Sequence, residues 1–167
     1  DHILSLIPKD AQAQTIAAYL PTASEPPITA ALHDLHARGH RILVPVVRPG
    51  RQLAWVQWDP HVQHPLNGMG IAEPEGDAEG PHAFTAADLR LVPALAYGRN
   101  GRRLGQGGGS YDRLLPRLSE QALRETTVGV VFADEVLDSI PYDTWDGVLY
   151  QVLTENGVHP LGEHATH

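Results

Sequence analysis

A glycine-rich segment followed by a helical pattern constrains this chain more than any other feature. Four of the five residues from position 105 to position 109 are glycines: Gly105, Gly107, Gly108 and Gly109. Glycines remove side chains where a ligand must approach the backbone, and they permit positive φ angles. Ser110 is a good N-cap, and one helical face follows it: Tyr111, Leu114, Leu115 and Leu118. Free N–H groups at a helix start predict an anion site, and phosphate is the usual anion.

Two common phosphate-binding motifs do not fit this segment. No Lys-Ser or Lys-Thr pair follows the glycines, so the segment is not a Walker A loop. The spacing Gly105-x-Gly107-x-x-Ser110 comes near a dinucleotide fingerprint. However, the loop after the preceding strand is too long, and the third small residue is a serine.

The charges around the glycines favour a polyanionic ligand. Five of the twelve basic residues lie within nineteen positions, in a chain of net charge −8: Arg99, Arg102, Arg103, Arg113 and Arg117. Asp112 lies among them, where a carboxylate beside a phosphate site can hold a divalent cation. The structural alternative is a glycine turn with a capping aspartate on an arginine-rich surface.

The segment from Arg103 to Arg113 resembles the signature of the 5-formyltetrahydrofolate cyclo-ligase family, also called methenyltetrahydrofolate synthetases. It reads RLGQGGGSYDR. Weaker matches agree with the family in order and spacing, and with them the resemblance covers nearly the whole chain: Tyr19-Leu20-Pro21 with Glu25, Gly70–Pro74, Val92–Ala96, Ile140-Pro141 with Asp146, and Leu153–Glu155.

Alternating strand and helix patterns predict a three-layer α/β/α domain, and the resemblance implies the same Rossmann-like fold with a mostly parallel central sheet. A single domain over residues 1–167 is expected. The predicted strands are Thr15–Leu20, Arg41–Val47, Leu53–Trp58, Leu89–Pro93, Thr126–Phe132 and Val148–Leu153. A helix is predicted over Thr29–Arg38, ending at Gly39, and a long functional loop over Asp59–Pro81. The glycine loop should follow the carboxyl end of Leu89–Pro93, where such sheets bind ligands.

The resemblance implies the ATP- and Mg²⁺-dependent conversion of 5-formyltetrahydrofolate to 5,10-methenyltetrahydrofolate. In the family, the formyl oxygen attacks the γ-phosphate, and the resulting iminium phosphate closes to the methenyl ring. The protein must supply positioning and charge neutralisation. No nucleophilic side chain is required, and there is neither a cysteine nor a Gly-x-Ser-x-Gly motif.

The resemblance also implies which residues bind each ligand. ATP would contact Arg103, Leu104, Gly105, Gln106, Gly107, Gly108, Gly109, Ser110, Tyr111 and Arg113. The folate would contact Leu20, Glu25 and Met69 together with Gln106–Ser110. Asp112 and Asp146 would be the Mg²⁺ ligands. Asp146 could instead be a turn residue, since Asp143 lies close. Likewise, Glu25 could be an exposed loop acid and Leu20 a core residue.

Some family features are missing, and they keep alternatives open. The family carries a basic N-terminal segment that reaches the nucleotide, but the only lysine, Lys9, lies too late in the alignment. That segment is expected to precede Asp1, or else activity is reduced. Met69 and Ser110 replace common aromatic residues. A non-catalytic nucleotide-binding paralogue and an enzyme related to sugar-phosphate isomerases or CoA-transferases are therefore the alternatives.

Composition sets the remaining bounds. Hydrophobic residues make up 42% and charged residues 19%, which are values of globular proteins. No apolar run approaches the ~20 residues needed to cross a bilayer. The acidic balance disfavours nucleic-acid binding, and the lack of cysteine fits a cytoplasmic protein. We therefore expect a cytoplasmic monomer that acts on a small molecule, with no membrane or nucleic-acid partner.

Overall fold

The computed structural model describes residues 2–61, 78–105, 110–140 and 148–162. The chain divides into two units, Asp1–Leu89 and Arg90–His167, and each is described by itself. Their union in a single domain stays a prediction. No helix in the described ranges is long and apolar enough to cross a membrane.

The described residues of the first unit form four strands and two α-helices. Their bounds in chain order are β1 Thr15–Ala17, α1 Thr29–Ala37, β2 Arg41–Arg48, β3 Gln52–Gln57, β4 Ala78–Glu79 and α2 Pro81–Thr85. A 3-10 turn over Leu4–Leu6 precedes them.

Strand β2 organises the sheet of the first unit. It pairs parallel with β1 and antiparallel with β3, and β3 pairs antiparallel with β4. The apolar run Ile42–Val44 is buried, as the sequence predicts for a central strand. Helix α1 buries Ala31, Leu32 and Leu35, and Gly39 follows its end with a φ of 93°. The predicted helix and its glycine stop are confirmed.

Two features of the first unit differ from prediction. Trp55 and Trp58 are three apart in the predicted strand Leu53–Trp58, and this spacing predicts opposite faces, with one side chain in the core and the other at the surface or in a pocket. Both side chains are buried. Strand β3 ends at Gln57, so the alternation of faces does not extend to Trp58, which packs edge-on against His33 of α1. The predicted loop over Asp59–Pro81 ends early, because β4 lies at Ala78–Glu79 and α2 begins at Pro81.

Seven strands and two short α-helices lie in the part of the second unit that the structure describes. Their bounds are β5 Leu89–Pro93, β6 Ala96–Gly98, β7 Arg103–Leu104, α3 Ser110–Leu114, α4 Glu120–Glu125, β8 Thr127–Val130, β9 Val136–Leu137, β10 Gln151–Thr154 and β11 Gly157–Pro160. Strand β5 begins with the last residue of the first unit.

These strands form two sets. Strand β8 pairs parallel with β5 on one side and with β10 on the other, and β11 closes the edge antiparallel to β10. Every residue of β8 is buried, as expected for an inner parallel strand. The smaller set has β6 at its centre, antiparallel to β7 and parallel to β9.

The glycine loop does not directly follow β5, which corrects the sequence prediction. The β6–β7 hairpin lies between them, with Ala96 paired to Leu104 and Tyr97 to Arg103. Gly101 makes the hairpin turn with a φ of 83°, and a Cβ there would lie 2.6 Å from the Leu149 carbonyl oxygen. Both constraints require glycine at this position.

Pro116 interrupts the helix after the glycine loop. Helix α3 ends at Leu114, and a 3-10 turn over Leu115–Arg117 continues the chain. Proline has no N–H to donate within a continuing α-helix. A new helix, α4, then begins at Glu120, and the hydroxyl of its N-cap residue, Ser119, accepts a hydrogen bond from the Ala122 N–H at 3.1 Å.

Candidate functional site

The second unit contains the described residues of the predicted phosphate site. Seven of the predicted ATP or metal ligands are described: Arg103, Leu104, Gly105, Ser110, Tyr111, Asp112 and Arg113. Gln106–Gly109 lie outside the described residues. So do Asp146, the second predicted metal ligand, and Met69, the predicted folate contact.

Arg103 is at the centre of this group. Its side chain is only 8% exposed, although arginine is usually a surface residue. The Nε–H donates a hydrogen bond to the Pro93 carbonyl oxygen at 2.9 Å, at the carboxyl end of β5. Nη1 lies 3.6 Å from Asp112 Oδ1, and the guanidinium carbon lies 5.0 Å from the centre of the Tyr111 ring. These contacts hold the guanidinium in one orientation.

Arg103 also contacts Gly105, the first residue of the glycine segment, and two residues that follow the segment in sequence. A Cβ added to Gly105 would lie 2.6 Å from Arg103 Nη1, so the guanidinium packs directly on the Gly105 backbone. Tyr111 and Asp112, which the same guanidinium contacts, come just after the segment. Glycine at position 105 therefore gives the room that Arg103 occupies.

Tyr97, which pairs with Arg103 across the β6–β7 hairpin, has no counterpart in the sequence predictions. Its side chain is fully buried, and its hydroxyl donates a hydrogen bond to the Val92 carbonyl oxygen at 2.8 Å. Burial raises the pKa of this hydroxyl well above its usual range. The charge of Arg103 and a hydrogen bond with it act in the opposite direction, and the carboxylate of Asp112 raises the pKa further. The hydroxyl therefore stays protonated near neutral pH.

Asp112 is the described carboxylate nearest to this network. It lies in the first turn of α3, and its side chain is 31% exposed, so solvent or a ligand can reach it. Since α3 spans only five residues, its dipole is small. The positive charge at this position therefore comes mainly from arginine side chains.

The other arginines of the cluster differ in exposure. Arg102 is half-buried, whereas Arg99, Arg113 and Arg117 are exposed. Arg99 forms an ion pair of 3.6 Å with Asp138. Exposed guanidinium groups keep their charge available to an incoming anion at little desolvation cost.

Glu25 and Leu20, the predicted folate contacts, lie in the first unit after β1. Glu25 is half-buried, and its Oε1 accepts a hydrogen bond from the Thr22 N–H at 2.8 Å. The Glu25 N–H in turn donates to the Thr22 carbonyl oxygen at 3.2 Å. This turn fixes the direction of the carboxylate. Leu20 is half-buried three residues beyond β1, and a common cleft for these residues and the glycine loop stays a prediction.

Sequence reasoning missed Tyr97 and the two carbonyl groups of β5 for a physical reason. Tyr97 lies in a short apolar stretch, where an aromatic residue is interpreted as part of the hydrophobic core. A backbone carbonyl leaves no mark in a sequence, because every residue has one. One feature of the sequence points to the position of Tyr97, namely a glycine inside a predicted strand, Gly129. In the structure a Cβ at Gly129 would lie 2.5 Å from the Tyr97 ring.

The fold and this site define an α/β protein in which arginines and the half-buried carboxylate of Asp112 lie next in sequence to a glycine-rich segment. The chain belongs to the 5-formyltetrahydrofolate cyclo-ligase family, whose model matches residues 1–155. The resemblance stated from the motif is thereby confirmed.

Individual relatives agree with the family match. The 5-formyltetrahydrofolate cyclo-ligase of Mycolicibacterium smegmatis is 37% identical over 146 residues, which is 84% of this chain and 73% of the relative. The protein of the same name from Escherichia coli is 28% identical over 153 residues, covering 90% of this chain and 83% of the relative.

Two solved structures share the fold. One is the NMR structure of Aquifex aeolicus 5,10-methenyltetrahydrofolate synthetase, with a TM-score of 0.68 and 28% identity, covering 89% of this chain and 72% of that chain. The other is a 5,10-methenyltetrahydrofolate synthetase from Mycoplasma pneumoniae, with a TM-score of 0.66 and 20% identity, covering 90% and 78%. At 20% identity, the similarity to the second structure supports the fold alone. The predicted α/β fold class is confirmed.

Proposed function

We propose that this chain is an ATP-dependent ligase that converts 5-formyltetrahydrofolate to 5,10-methenyltetrahydrofolate. The observation that carries the proposal is membership of the cyclo-ligase family over residues 1–155, with the RLGQGGGSYDR signature inside the matched range. In this reaction the formyl oxygen attacks the γ-phosphate of ATP, a folate amine closes the ring, and phosphate leaves.

In this proposal, the phosphates of ATP bind at the glycine segment. Arg103 to Tyr111 and Arg113 would contact ATP, including Leu104, Gly105, Gln106, Gly107, Gly108, Gly109 and Ser110. Two features of the described residues support this assignment. The exposed arginines provide charge that attracts a triphosphate, and the Arg103 guanidinium is already oriented beside Gly105. A group held in place before binding has less entropy to lose when the ligand arrives.

Asp112 suits a magnesium ion that is shared with the nucleotide. Mg²⁺ is usually held by one or two carboxylates together with substrate phosphates, rather than by an all-protein cage. In the described ranges no cluster of three or more His, Cys, Asp or Glu side chains could form such a cage. Asp112, half-buried and open to solvent, fits the sparser arrangement, with Asp146 proposed as the second ligand. Bound there, Mg²⁺ would neutralise charge on the phosphoryl oxygens.

The folate end is proposed to involve Leu20, Glu25 and Met69, with Gln106–Ser110 near the formyl group. The Glu25 carboxylate is held by the Thr22 N–H through one oxygen. Its other oxygen can accept a hydrogen bond from a pterin N–H, and such charge-assisted bonds are strong and directional. Leu20 can pack on a ring of the substrate from its half-buried position.

Family membership favours this proposal over the two alternatives. A sugar-phosphate isomerase or CoA-transferase relative would need a general base and would not consume ATP. A non-catalytic paralogue would bind nucleotide without forming product.

One assay separates the ligase from the non-catalytic paralogue. The purified chain is incubated with 5-formyltetrahydrofolate and Mg²⁺, and the near-ultraviolet absorbance of methenyltetrahydrofolate is followed with and without ATP. An ATP-dependent rise supports the ligase. ATP binding without any rise would instead support the non-catalytic paralogue.

A further inference from the structure

We propose that the second unit contains a binding site for a small carboxylate with an apolar body. The site is a cavity of about 310 Å³ between the β10–β11 hairpin and the segment that carries β9. This volume is at the lower end of the range for pockets that bind small molecules. The residues of the cavity are not among the predicted ATP, folate or metal ligands, so the inference goes beyond the proposed function.

One face of the β10–β11 hairpin forms the floor of the cavity. Alternate residues of a strand lie on the same face, so Val152 and Thr154 share a face of β10. His159 of β11 is the direct partner of Val152, and opposed residues of an antiparallel pair also share a face. All three residues line the cavity, so its floor combines an aliphatic side chain, a hydroxyl and an imidazole.

An apolar surface continues from this floor to the opposite wall. Val136 of β9 and Leu161, just after β11, contribute aliphatic side chains, and Ala133 contributes a methyl group. Val152 and Leu161 are almost fully buried and belong to the core of the second unit. A ligand with an apolar group would cover part of this surface, which is favourable in proportion to the area removed from water.

Arg99 provides the positive charge of the cavity. Its backbone is held on both sides, because its N–H donates to the Leu137 carbonyl oxygen at 2.8 Å and its carbonyl oxygen accepts from the Gly162 N–H at 2.6 Å. Its side chain is 61% exposed, and Nε lies 3.6 Å from Oδ1 of Asp138, a fully exposed carboxylate. Such surface ion pairs are weak. The guanidinium can therefore exchange this partner for a ligand carboxylate, which it can bind through two parallel N–H groups.

The charges of the lining favour a singly charged anion. Among the described residues that line the cavity, Arg99 is the one with a permanent charge, and none is an aspartate or a glutamate. His159 adds an imidazole, which can donate an N–H hydrogen bond in its neutral and its charged form. The carboxylate of nearby Glu155 already accepts a hydrogen bond from the Ala133 N–H. One guanidinium matches the charge of one carboxylate, and the apolar lining suits an attached ring or branched chain.

The test uses benzoate as the probe, because it joins one carboxylate to one apolar ring. The backbone amide signals of Ala133, Val152 and Thr154 are followed by NMR spectroscopy as benzoate is added to the wild-type chain. Acetate, which lacks the ring, and benzyl alcohol, which lacks the charge, are titrated in the same way. Inorganic phosphate shows whether any small anion is sufficient.

We expect saturable shifts with benzoate at about millimolar concentration, as is typical of ligands with few atoms. Acetate, benzyl alcohol and phosphate should each bind at least about tenfold more weakly, because each lacks the charge or the apolar body of benzoate. Arg99→Gln should weaken benzoate binding about tenfold or more, since a hydrogen bond between charged groups is lost. The matched control is Arg117→Gln, which changes an exposed arginine of the same unit that does not line the cavity and should leave the affinity unchanged.

Equal benzoate binding by the wild type and Arg99→Gln would overturn the inference, as would the lack of any saturable shift. Equal affinities for benzoate and acetate, or for benzoate and phosphate, would do the same, because the apolar surface would then contribute nothing. If Mg²⁺-ATP displaces benzoate competitively, Arg99 belongs to the nucleotide site and the inference falls. The proposed function fails separately, since a chain that makes no methenyltetrahydrofolate but binds benzoate through Arg99 retains this site.

Discussion

At the scale of single residues, Arg103 shows how a buried cation can prepare a binding site. An unpaired buried charge is costly, so its retention requires several specific contacts. Arg103 has them in the Pro93 carbonyl, the Asp112 carboxylate and the Tyr111 ring. The consequence is a guanidinium fixed in direction before any anion arrives.

Asp112→Asn should raise the Mg²⁺ requirement for ATP binding while the fold is retained. The substitution removes one negative ligand with almost no change of shape. Loss of a group that only supports a metal ligand typically lowers metal affinity by ~10-fold or more. Loss of a direct ligand should lower the Mg²⁺ affinity by at least as much. A Mg²⁺ titration by calorimetry measures the change. Asp134→Asn, an exposed carboxylate in the same unit, is the control, and equal titrations for the two variants would remove Asp112 from the site.

Gly129→Ala should destabilise the protein by about 1–3 kcal/mol, since overpacking a buried, rigid ring costs about that much. The added methyl group would lie 2.5 Å from the Tyr97 ring. Chemical denaturation measures the free energy of unfolding. In a Tyr97→Leu background, the same glycine substitution should cost clearly less, because the ring is gone. An equal loss of unfolding free energy in both backgrounds would show that the Tyr97 ring does not restrict position 129.

At the scale of elements, predictions succeeded where hydrophobic patterns were long. Strand β5 matches its predicted range of Leu89–Pro93, and α1 matches within one residue at its end. The β6–β7 hairpin was missed because strands of two or three residues are too short to show a periodicity. Trp58 was misplaced because the strand alternation ends one residue before it.

Helix α4 allows a direct test of local capping. Ser119→Ala should lower the free energy of unfolding by about 1 kcal/mol, because the Ala122 N–H loses its acceptor. Ser119→Asp should retain most of the stability, since aspartate caps equally well and its charge favours the start of a helix. Thermal and denaturant unfolding provide the measurement. If the alanine and aspartate variants are equally stable, the cap contributes nothing.

At the scale of the whole molecule, the sequence predicted the family and the fold class but could not determine the site. The signature contains Arg103, and only the structure shows that its side chain is 8% exposed and held by β5. The burial of a side chain depends on strands that are distant in sequence, such as β8 with Gly129. Such packing is not visible in a local motif.

The two-ligand character of the proposed reaction can be tested through Glu25. Glu25→Gln should raise the KM for 5-formyltetrahydrofolate about tenfold, since a hydrogen bond to a charged group is worth about 1.5–3 kcal/mol. The KM for ATP should stay nearly constant. The matched control is Glu79→Gln, which removes an exposed charge that pairs with Arg41 at 2.8 Å. A parallel rise of both KM values would contradict the assignment of Glu25 to the folate.

The central claim is that this chain joins ATP cleavage to closure of the folate ring. The most direct measurement is the number of ADP molecules released for each 5,10-methenyltetrahydrofolate formed, with 5-formyltetrahydrofolate and Mg²⁺ present. We predict one ADP for each methenyl product, and neither compound when Mg²⁺ is chelated or when 5-formyltetrahydrofolate is left out. Methenyl product without ADP, or ADP release that does not depend on the folate, would contradict the claim.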